Sequence, residues 1–283
     1  MTTWFITGAS RGFGLEIARQ ALDRGDDVVA TARNPEAVTK ALPEHGGRLL
    51  AQTLDVTDEE QARTAIAAAV EAFGSIDVLV NNAGRGLLGA VEESSDAAVR
   101  SLYDINVFGL LNVTRAVLPV MRSQRSGRIL NISSLGGFSS SAGFGIYCST
   151  KFAVEGISEA MHAELAGLGI QVTVVEPGYF RTDFLDAQSL HTEEATIEDY
   201  AASAGAVRNV VPGLNHAQPG DPVKAATVIL TLAKADAPPL RAQLGSDCLD
   251  ELDRKITQLR TESEAWRHLA ISTDHDDAVL AKR

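Results

Sequence analysis

A tyrosine and a lysine lie four residues apart in the run Gly145-Ile-Tyr-Cys-Ser-Thr-Lys151. On an α-helix, Tyr147 and Lys151 would share one face and lie about one turn apart. A phenol ordinarily ionises near pH ~10, and a fixed ammonium beside it favours the phenolate and lowers that pKa. A tyrosine tuned in this way can act as a general acid and base. Because this spacing also arises by chance, other features of the chain must support the chemistry.

A glycine-rich turn follows the first apolar segment. Residues 3–7 predict a short buried strand and residues 15–22 predict a helix, with Gly8, Gly12 and Gly14 between them. This order directs backbone N–H groups and a helix amino end at a phosphate. Glycine allows the backbone to turn tightly and to approach a ligand without a Cβ in the way. The position after the first strand of a βαβ unit predicts dinucleotide binding.

Further polar motifs follow apolar strands in a fixed order along the chain. They are Asn81-Asn82-Ala83-Gly84 after residues 76–80, Asn106 within 104–109, Ser133-Ser134 after 128–132, and Pro177-Gly178 with Thr182 after 172–176. Together with the glycine turn and the Tyr147–Lys151 pair, this set resembles the short-chain dehydrogenase/reductase family in its compact single-domain branch. The resemblance covers about residues 3–245.

The resemblance implies a nicotinamide dinucleotide cofactor and a catalytic set of Asn106, Ser134, Tyr147 and Lys151. It implies that Asn106 anchors a water in a proton relay towards Lys151. The cofactor-binding set that it implies is Gly8, Ser10, Arg11, Gly12, Phe13, Gly14, Arg33, Asp55, Val56, Asn82, Ala83, Gly84, Tyr147, Lys151, Pro177, Gly178 and Thr182. Within this set, Asp55 corresponds to the residue that bonds the adenine amine, and Thr182 to the residue that reaches the carboxamide or phosphate.

The choice between NAD and NADP depends on the end of the second strand. An acidic side chain there would bond the adenosine ribose and repel a 2′-phosphate. This strand ends in Ala32-Arg33 with no acid, and Asp26 and Asp27 lie at its other end. A guanidinium pairs well with a phosphate, and Arg11 in the glycine turn could join Arg33. The sequence therefore predicts NADP(H).

Apolar strands alternate with helical segments along most of the chain, which predicts an α/β fold. The strands are predicted at about 3–8, 27–33, 48–54, 76–81, 127–132, 170–176 and 239–245, and the helices at about 14–24, 58–73, 95–122, 147–167 and 222–235. We expect a Rossmann-type, doubly wound, seven-stranded parallel sheet flanked by helices, in one NAD(P)-binding domain over residues 1–283. The carboxyl edge of this sheet would bring the motifs together.

Two segments depart from this alternation. Residues of about 183–220 contain no predicted strand, and a helical apolar face within them is either a surface helix or, as we favour, a substrate lid. Residues of about 246–272 place Leu249, Leu252, Ile256, Leu259 and Trp266 on an amphipathic helix. This extension is too short for a convincing coiled coil, and we expect it to pack on the domain or on a neighbouring subunit.

Composition excludes several other classes of protein. The chain has 283 residues, 45% of them hydrophobic, and a formal net charge of −12. This charge argues against nucleic acid or an anionic membrane as partner. No apolar stretch is long enough to span a bilayer. Two cysteines and six scattered histidines give neither a disulfide framework nor metal-ligand spacing, so we expect a cytoplasmic protein without a metal.

The predicted activity is interconversion of a ketone or aldehyde and an alcohol, with Tyr147 as general acid and base. Apolar pocket candidates, with Arg85 nearby, favour an uncharged hydrophobic substrate: Leu87, Leu88, Phe138, Phe144, Tyr179 and Phe180. A 3-oxoacyl-thioester reductase is one alternative, although the net charge disfavours docking of an acidic carrier protein. A non-catalytic NADP-binding regulator is another, although it would not need Tyr147 and Lys151. The family resemblance also implies a homodimer or homotetramer built on the helices near 95–122 and 147–167.

Overall fold

The computed structural model describes residues 1–43 and 45–275. Within them the strands are β1 (Thr3–Ile6), β2 (Asp27–Ala32), β3 (Leu49–Thr53), β4 (Val78–Asn81), β5 (Gly86–Leu88), β6 (Gly127–Ile132), β7 (Ile170–Pro177), β8 (Leu190–Thr192) and β9 (Arg241–Leu244). Seven of these form one parallel sheet in the order β3-β2-β1-β4-β6-β7-β9. The predicted doubly wound sheet is confirmed, and its strand order reverses between β1 and β4.

Helices connect these strands and cover both faces of the sheet. They are α1 (Gly12–Asp23), α2 (Pro35–Ala41), α3 (Glu59–Phe73), α4 (Asp96–Tyr103), α5 (Leu110–Gln124), α6 (Gly145–Leu165), α7 (Ala206–Leu214), α8 (Pro222–Lys234) and α9 (Ser246–Ile271). Helix α8 begins as its sequence predicts, because the Asp221 side chain accepts hydrogen bonds from Val223 N and Lys224 N ahead of a proline-led first turn.

Apolar side chains form one core on each face of the sheet. On one face, α1 and α8 contribute buried residues such as Ile17 and Ile229. On the other face, α3, α5 and α6 contribute residues such as Ile66, Val117 and Met161. A parallel sheet needs this cover because its strands are buried on both sides. The cores hold the carboxyl ends of the strands at one edge of the domain.

The predicted single helix over 95–122 is interrupted. A π-helical turn over Asp104–Gly109 joins α4 to α5, and Asn106 lies within it, buried. Such turns insert an extra residue in the helical repeat and often occur at functional sites. Hydrophobic periodicity does not reveal the turn, because the same apolar face continues through it. The turn changes which residues of this helix point towards the sheet edge.

The prediction that residues 183–220 contain no strand is wrong. Strand β8 within this segment pairs in parallel with β5, with Leu87 opposite His191. Each strand has three residues, and its partner is about a hundred positions away in the chain. The local sequence pattern therefore does not predict the pairing. Leu88, Leu190 and Val211 pack together beneath the segment. The segment is therefore docked onto the residues that follow β4.

No helix among the described residues combines the length and the apolar character that a membrane crossing requires.

Candidate active site

A cavity of about 640 Å³ opens at the carboxyl edge of the main sheet. Its walls come from the segments that follow β1, β2, β3, β4, β6 and β7, and from the residues after Pro177. The volume lies within the range of small-molecule and cofactor sites. The residues lining it that belong to the predicted sets are Gly8, Ser10, Arg11, Gly12, Phe13, Arg33, Asp55, Val56, Asn82, Ala83, Gly84, Ser134, Tyr147, Lys151, Pro177, Gly178 and Thr182.

The glycine turn forms one wall. Gly8 and Gly12 have φ of +65° and +55°, a conformation that favours glycine. Helix α1 starts at Gly12 without a side-chain cap on its first turn and without an acidic residue there. Its amino end can therefore stabilise an anion.

Gly14 packs tightly inside the glycine turn, and its predicted contact with the cofactor stays a prediction. It does not line the cavity, and a Cβ at this position would lie 2.5 Å from both Asn82 Nδ2 and Gly8 O. Asn82 Nδ2 donates to Thr7 O at 2.9 Å and to Gly8 O at 3.0 Å. Gly14 thus permits close packing of α1, while Asn82 ties the glycine turn to the end of β4.

Tyr147 and Ser134 face each other across Gly136. A Cβ at Gly136 would lie 3.4 Å from Ser134 Oγ and 3.5 Å from a ring carbon of Tyr147. Ser134 is positioned by accepting a hydrogen bond from Gly136 N at 3.0 Å. Tyr147 is held on α6 and is 8% exposed. Both side chains line the cavity, as predicted, although they come from different elements.

Lys151 lies one turn after Tyr147 on α6. Its Nζ donates to Ile132 O at 2.8 Å and lies 5.8 Å from the centroid of the Tyr147 ring. A Cβ at Gly84 would lie 3.8 Å from Lys151 Nζ and 3.3 Å from Asn106 Oδ1. Lys151 and Asn106 therefore flank Gly84 from opposite elements, and Lys151 lines the cavity while Asn106 does not.

The Asn106 side chain is fully engaged by protein groups. Its Oδ1 accepts from Arg85 N at 2.9 Å, and its Nδ2 donates to Arg85 O at 2.9 Å and to Thr150 Oγ1 at 3.0 Å. These bonds fix the segment after β4 against α6. The predicted anchoring of a water by Asn106 stays a prediction.

The expected lowering of the Tyr147 pKa is not what the structure gives. Burial raises the pKa of Tyr147 well above its usual value, and the nearby Ser134 hydroxyl opposes this effect only in part. The ring lies between Phe144 and Phe184, with centroids 6.1 and 5.4 Å away. Burial also lowers the pKa of Lys151 to about 8, against the opposing charge of Glu155. Desolvation outweighs the ammonium here because the ammonium bonds a backbone carbonyl instead of the phenol.

Arg33 and Arg11, which are predicted to bind the 2′-phosphate of NADP(H), differ in their surroundings. Arg33 is exposed at the end of β2 and borders the cavity. Arg11 donates to Gln188 Oε1 at 2.6 Å and to Ser189 Oγ at 2.8 Å, which ties the glycine turn to the predicted lid. Asp55 accepts from Thr57 N at 3.0 Å and from Thr57 Oγ1 at 2.7 Å.

The predicted substrate pocket is partly correct. Arg85, Phe144, Tyr179 and Phe180 line the cavity, whereas Leu87, Leu88 and Phe138 do not. Leu87 and Leu88 instead pack in the core beneath the cavity. The predicted lid contributes cavity residues that the sequence did not single out, including Phe184, Leu185, Gln188, Ser189 and Gln218, and Cys148 on α6 is another. Most of these lie in residues 183–220, whose contacts no local pattern specified.

The predicted lid is fastened by a buried carboxylate. Glu93, which is 5% exposed, accepts from Ala90 N at 2.8 Å, from Ile197 N at 2.9 Å and from Arg208 Nη2 at 2.6 Å. The hydrogen bonds from the backbone of Ile197 and Ala90 hold the pKa of Glu93 below its usual value. The carboxylate thus joins the segment after β5 to Ile197 and to Arg208 on α7, both within the predicted lid.

Behind the cavity lies a cluster of acids that the sequence did not suggest. Glu176 on β7 is fully buried, and Glu155 on α6 is 6% exposed. Arg241 Nε donates to Glu155 Oε2 at 3.1 Å, and Gln243 donates to Glu176. Burial, together with the negative charge of Glu155, raises the pKa of Glu176 to about 7.

One set of potential metal ligands occurs in the part of the chain that the structure describes. Asp183, Asp186 and His216 place ligand atoms within 4.8 Å of one another. Asp186 Oδ1 accepts from Asn215 Nδ2 at 2.6 Å and lies 3.0 Å from His216 Nε2. These contacts cross-link the lid, and histidine spacing in the sequence gave no sign of them.

Comparison with known proteins gives a consistent result. A family model described as short chain dehydrogenase matches residues 2–193. A short-chain dehydrogenase from Streptomyces avermitilis superposes with a TM-score of 0.90 at 41% identity, over 97% of this chain and 100% of that one. A 3-ketodihydrosphingosine reductase from Bacteroides thetaiotaomicron is 40% identical over 198 residues, 70% of this chain and 71% of that protein. An actinorhodin polyketide ketoreductase solved with NADPH superposes with a TM-score of 0.71 at 31% identity, over 86% of this chain and 94% of that one.

Proposed function

This chain belongs to the short chain dehydrogenase family, and on that premise we propose that it is an NADPH-dependent oxidoreductase. It interconverts a hydrophobic ketone or aldehyde and the corresponding alcohol. The observation that supports this most directly is the cavity itself, where Ser134, Tyr147 and Lys151 face the glycine turn of a dinucleotide-binding fold.

The cavity residues fit a nicotinamide dinucleotide. The uncapped amino end of α1, preceded by glycines in left-handed conformations, suits the pyrophosphate. Arg33 at the end of β2 suits an adenosine 2′-phosphate, because a guanidinium forms charge-assisted hydrogen bonds with phosphate oxygens. Asp55, on the neighbouring segment, suits the adenine amine.

The bound nicotinamide supplies or accepts the hydride. In the reductive direction, negative charge develops on the carbonyl oxygen, and Ser134 Oγ stabilises it by donating a hydrogen bond. Tyr147 Oη donates a second hydrogen bond and then delivers its proton to that oxygen. The phenol is protonated at neutral pH and can serve as the donor, but burial raises its pKa and makes it a weaker acid, an effect that a charge favouring the phenolate must offset. In the oxidative direction, the same phenol must lose its proton first.

Lys151 supports this chemistry from one turn further along α6. Its ammonium holds the cofactor ribose and favours the phenolate when Tyr147 gives up its proton. Asn106 positions the Gly84–Arg85 backbone beside Lys151 through the hydrogen bonds described above.

The substrate side of the cavity favours an uncharged hydrophobic molecule. Phe144, Tyr179, Phe184 and Leu185 contribute apolar surface next to Tyr147. The Bacteroides relative is named as a 3-ketodihydrosphingosine reductase, which supports a ketone as the substrate class for the present chain.

Turnover measurements test the proposal. NADPH oxidation should be followed spectroscopically against steroid ketones, retinal-like aldehydes, β-keto thioesters and small quinones, with NADH in parallel. Tyr147→Phe should lower kcat by about 10²–10⁴-fold and leave NADPH binding nearly unchanged. Tyr103→Phe is the matched control, because the Tyr103 hydroxyl bonds Ser149 outside the cavity. A Tyr147→Phe variant that retains the wild-type rate would refute the assignment of the acid.

Cofactor preference is tested separately. Arg33→Ala should lower the ratio of kcat/KM for NADPH to kcat/KM for NADH. Arg24→Ala should leave this ratio unchanged, because Arg24 is exposed and lies away from the cavity. Arg11→Ala measured beside them distinguishes a phosphate contact from the lid contacts with Gln188 and Ser189. If the preference persists in both cavity variants, the 2′-phosphate is recognised elsewhere.

A further inference from the structure

Helix α9 extends away from the domain. Its first turns are attached, since Cys248 is fully buried and Asp247 accepts a hydrogen bond from Tyr179 N at 2.6 Å. From Ile256 to the end of the helix at Ile271, every residue is exposed. At about 1.5 Å per residue, this projecting part is roughly 24 Å long. An isolated helix of this length is marginal in water, because most helical stability in proteins comes from packing.

The projecting helix presents a regular apolar seam. The seam positions recur at alternating spacings of three and four, and all of them except Ser263 are apolar: Leu249, Leu252, Ile256, Leu259, Ser263, Trp266 and Ala270. This is the spacing by which one helix packs along another, and it continues for three heptads over residues 249–270, so a short helix pair is feasible despite the expectation that the extension is too short for a coiled coil. Ile256, Leu259 and Trp266 are 47%, 52% and 65% exposed. Exposed apolar side chains in one line mark a contact surface.

We propose that the seam is covered by α9 of a second copy of this chain, packed antiparallel. Around a two-fold axis between Thr257 and Gln258, the seam pairs with itself. Ile256 then meets the partner's Leu259, and Leu249 meets the partner's Trp266. A two-fold interface requires this self-complementarity, because the same patch faces itself.

The charges that flank the seam favour the antiparallel pair over a parallel one. On one flank, Asp253 lies opposite the partner's Arg260. On the other flank, Lys255 lies opposite the partner's Glu262. Each pair occurs twice in the dimer. In a parallel pair, Lys255 would instead face the partner's Arg260 with like charge. Only the contact of Glu262 with the partner's Arg267 would attract, so the antiparallel pair has more favourable contacts.

Other features of the molecule favour a second copy over a membrane as the occupant. The chain has a net charge of −12, and the flanks of the seam alternate in sign, whereas helices that bind anionic membranes are rich in Lys and Arg. The contact is also separate from the α4–α5 and α6 surfaces, where Phe108 and Phe152 are exposed. An assembly through those helices would leave the α9 seam free to pair.

Disulfide cross-linking of the full chain tests the register directly. Ile256→Cys and Leu259→Cys proteins, one of them tagged, are mixed and mildly oxidised. The antiparallel pair predicts a mixed disulfide dimer and little self-linked product from either variant alone. Leu259→Cys mixed with Thr261→Cys, on the opposite face of the helix, is the matched control. Wild-type protein tests for background, since Cys148 and Cys248 are buried.

Charge exchange tests the same register independently. Adding Glu262→Lys to both cysteine variants should lower the yield of mixed dimer, because it places Lys opposite Lys255. Adding Lys255→Glu as well should restore the yield. Three outcomes would each overturn the proposal. The first is a yield of mixed disulfide dimer no greater than that of the control, and the second is self-linked product from each variant alone. The third is a yield of mixed dimer that does not change when Glu262→Lys is added.

Discussion

Glu176→Gln should stabilise the protein at alkaline pH and have little effect at acidic pH. Glu176 is fully buried on β7 and shares a hydrogen-bonding contact with the Glu155 carboxyl group. Among the described residues, Glu155 Oε1 and Glu176 Oε1 have no donor, and one shared proton would satisfy both oxygens. Arg241 balances the single remaining charge from 3.1 Å. Glutamine keeps the shape and the hydrogen bond with Gln243 without any charge.

The magnitude follows from the pKa of Glu176. Burial first, and the negative charge of Glu155 second, raise this pKa from 4.5 to about 7. At about 1.4 kcal/mol per pKa unit, ionising Glu176 in the folded state costs on the order of 3 kcal/mol. Since the folded-state pKa is raised, the folded state binds the proton more tightly than the unfolded chain. The associated stability is present below the unfolded pKa and is lost as pH rises through about 7.

Urea denaturation at pH 5, 6, 7 and 8 measures this effect. Relative to wild type, the Glu176→Gln variant should gain about 2–3 kcal/mol of unfolding free energy between pH 5 and pH 8. Glu159→Gln is the matched control, because Glu159 also pairs with Arg241 but its side chain is 63% exposed. A Glu176→Gln effect that does not depend on pH would refute the reasoning.

Three other predictions follow from the site. Lys151→Ala should weaken NADPH affinity, measured by fluorescence titration, and lower kcat; unchanged affinity would argue against the ribose contact. Gly14→Ala should lower both stability and cofactor affinity, because the added Cβ would lie 2.5 Å from the Gly8 carbonyl oxygen of the glycine turn and 2.5 Å from Asn82 Nδ2. Gly156→Ala on α6, where nothing lies within 4 Å, should instead stabilise by about 0.5–1 kcal/mol. Glu93→Ala should speed proteolysis within residues 183–220, because Arg208 and the lid backbone lose their common acceptor; equal cleavage rates would show that the lid holds without it.

The seven-stranded sheet could be predicted because most of its strands are apolar runs bounded by glycines or polar turns, although β9, with the sequence Arg-Ala-Gln-Leu, is not. Strands β5 and β8 could not be, since three residues such as Leu190–Thr192 carry no periodicity and their pairing depends on a distant segment. The site residues that end strands were placed correctly on one edge, because parallel topology forces the carboxyl ends together. Gly14 was placed in the right loop, but its close packing could not be predicted, since only the three-dimensional structure shows Asn82 and the Gly8 carbonyl against it.

Electrostatics were the least predictable property from sequence. The four-residue spacing correctly placed Tyr147 and Lys151 on one helix face. It could not show that Phe144 and Phe184 bury the phenol, or that Lys151 Nζ bonds the Ile132 carbonyl. Desolvation depends on residues far apart in the chain, so a sequence motif fixes which groups meet and leaves the direction of their pKa shifts open.

The acid cluster and the candidate active site are linked through a single residue. Glu155 lies one helical turn after Lys151, and its charge raises the Lys151 pKa against the burial that lowers it to about 8. The same carboxylate raises the pKa of Glu176 and pairs with Arg241. The Lys151 pKa is shifted by burial first and by the charge of Glu155 second. Neutralising Glu176 should therefore change the stability of the protein and leave the pKa of Lys151 unchanged. Neutralising Glu155 should change the stability and also lower the pKa of Lys151, because the charge of Glu155 favours the protonated forms of Lys151 and of Glu176.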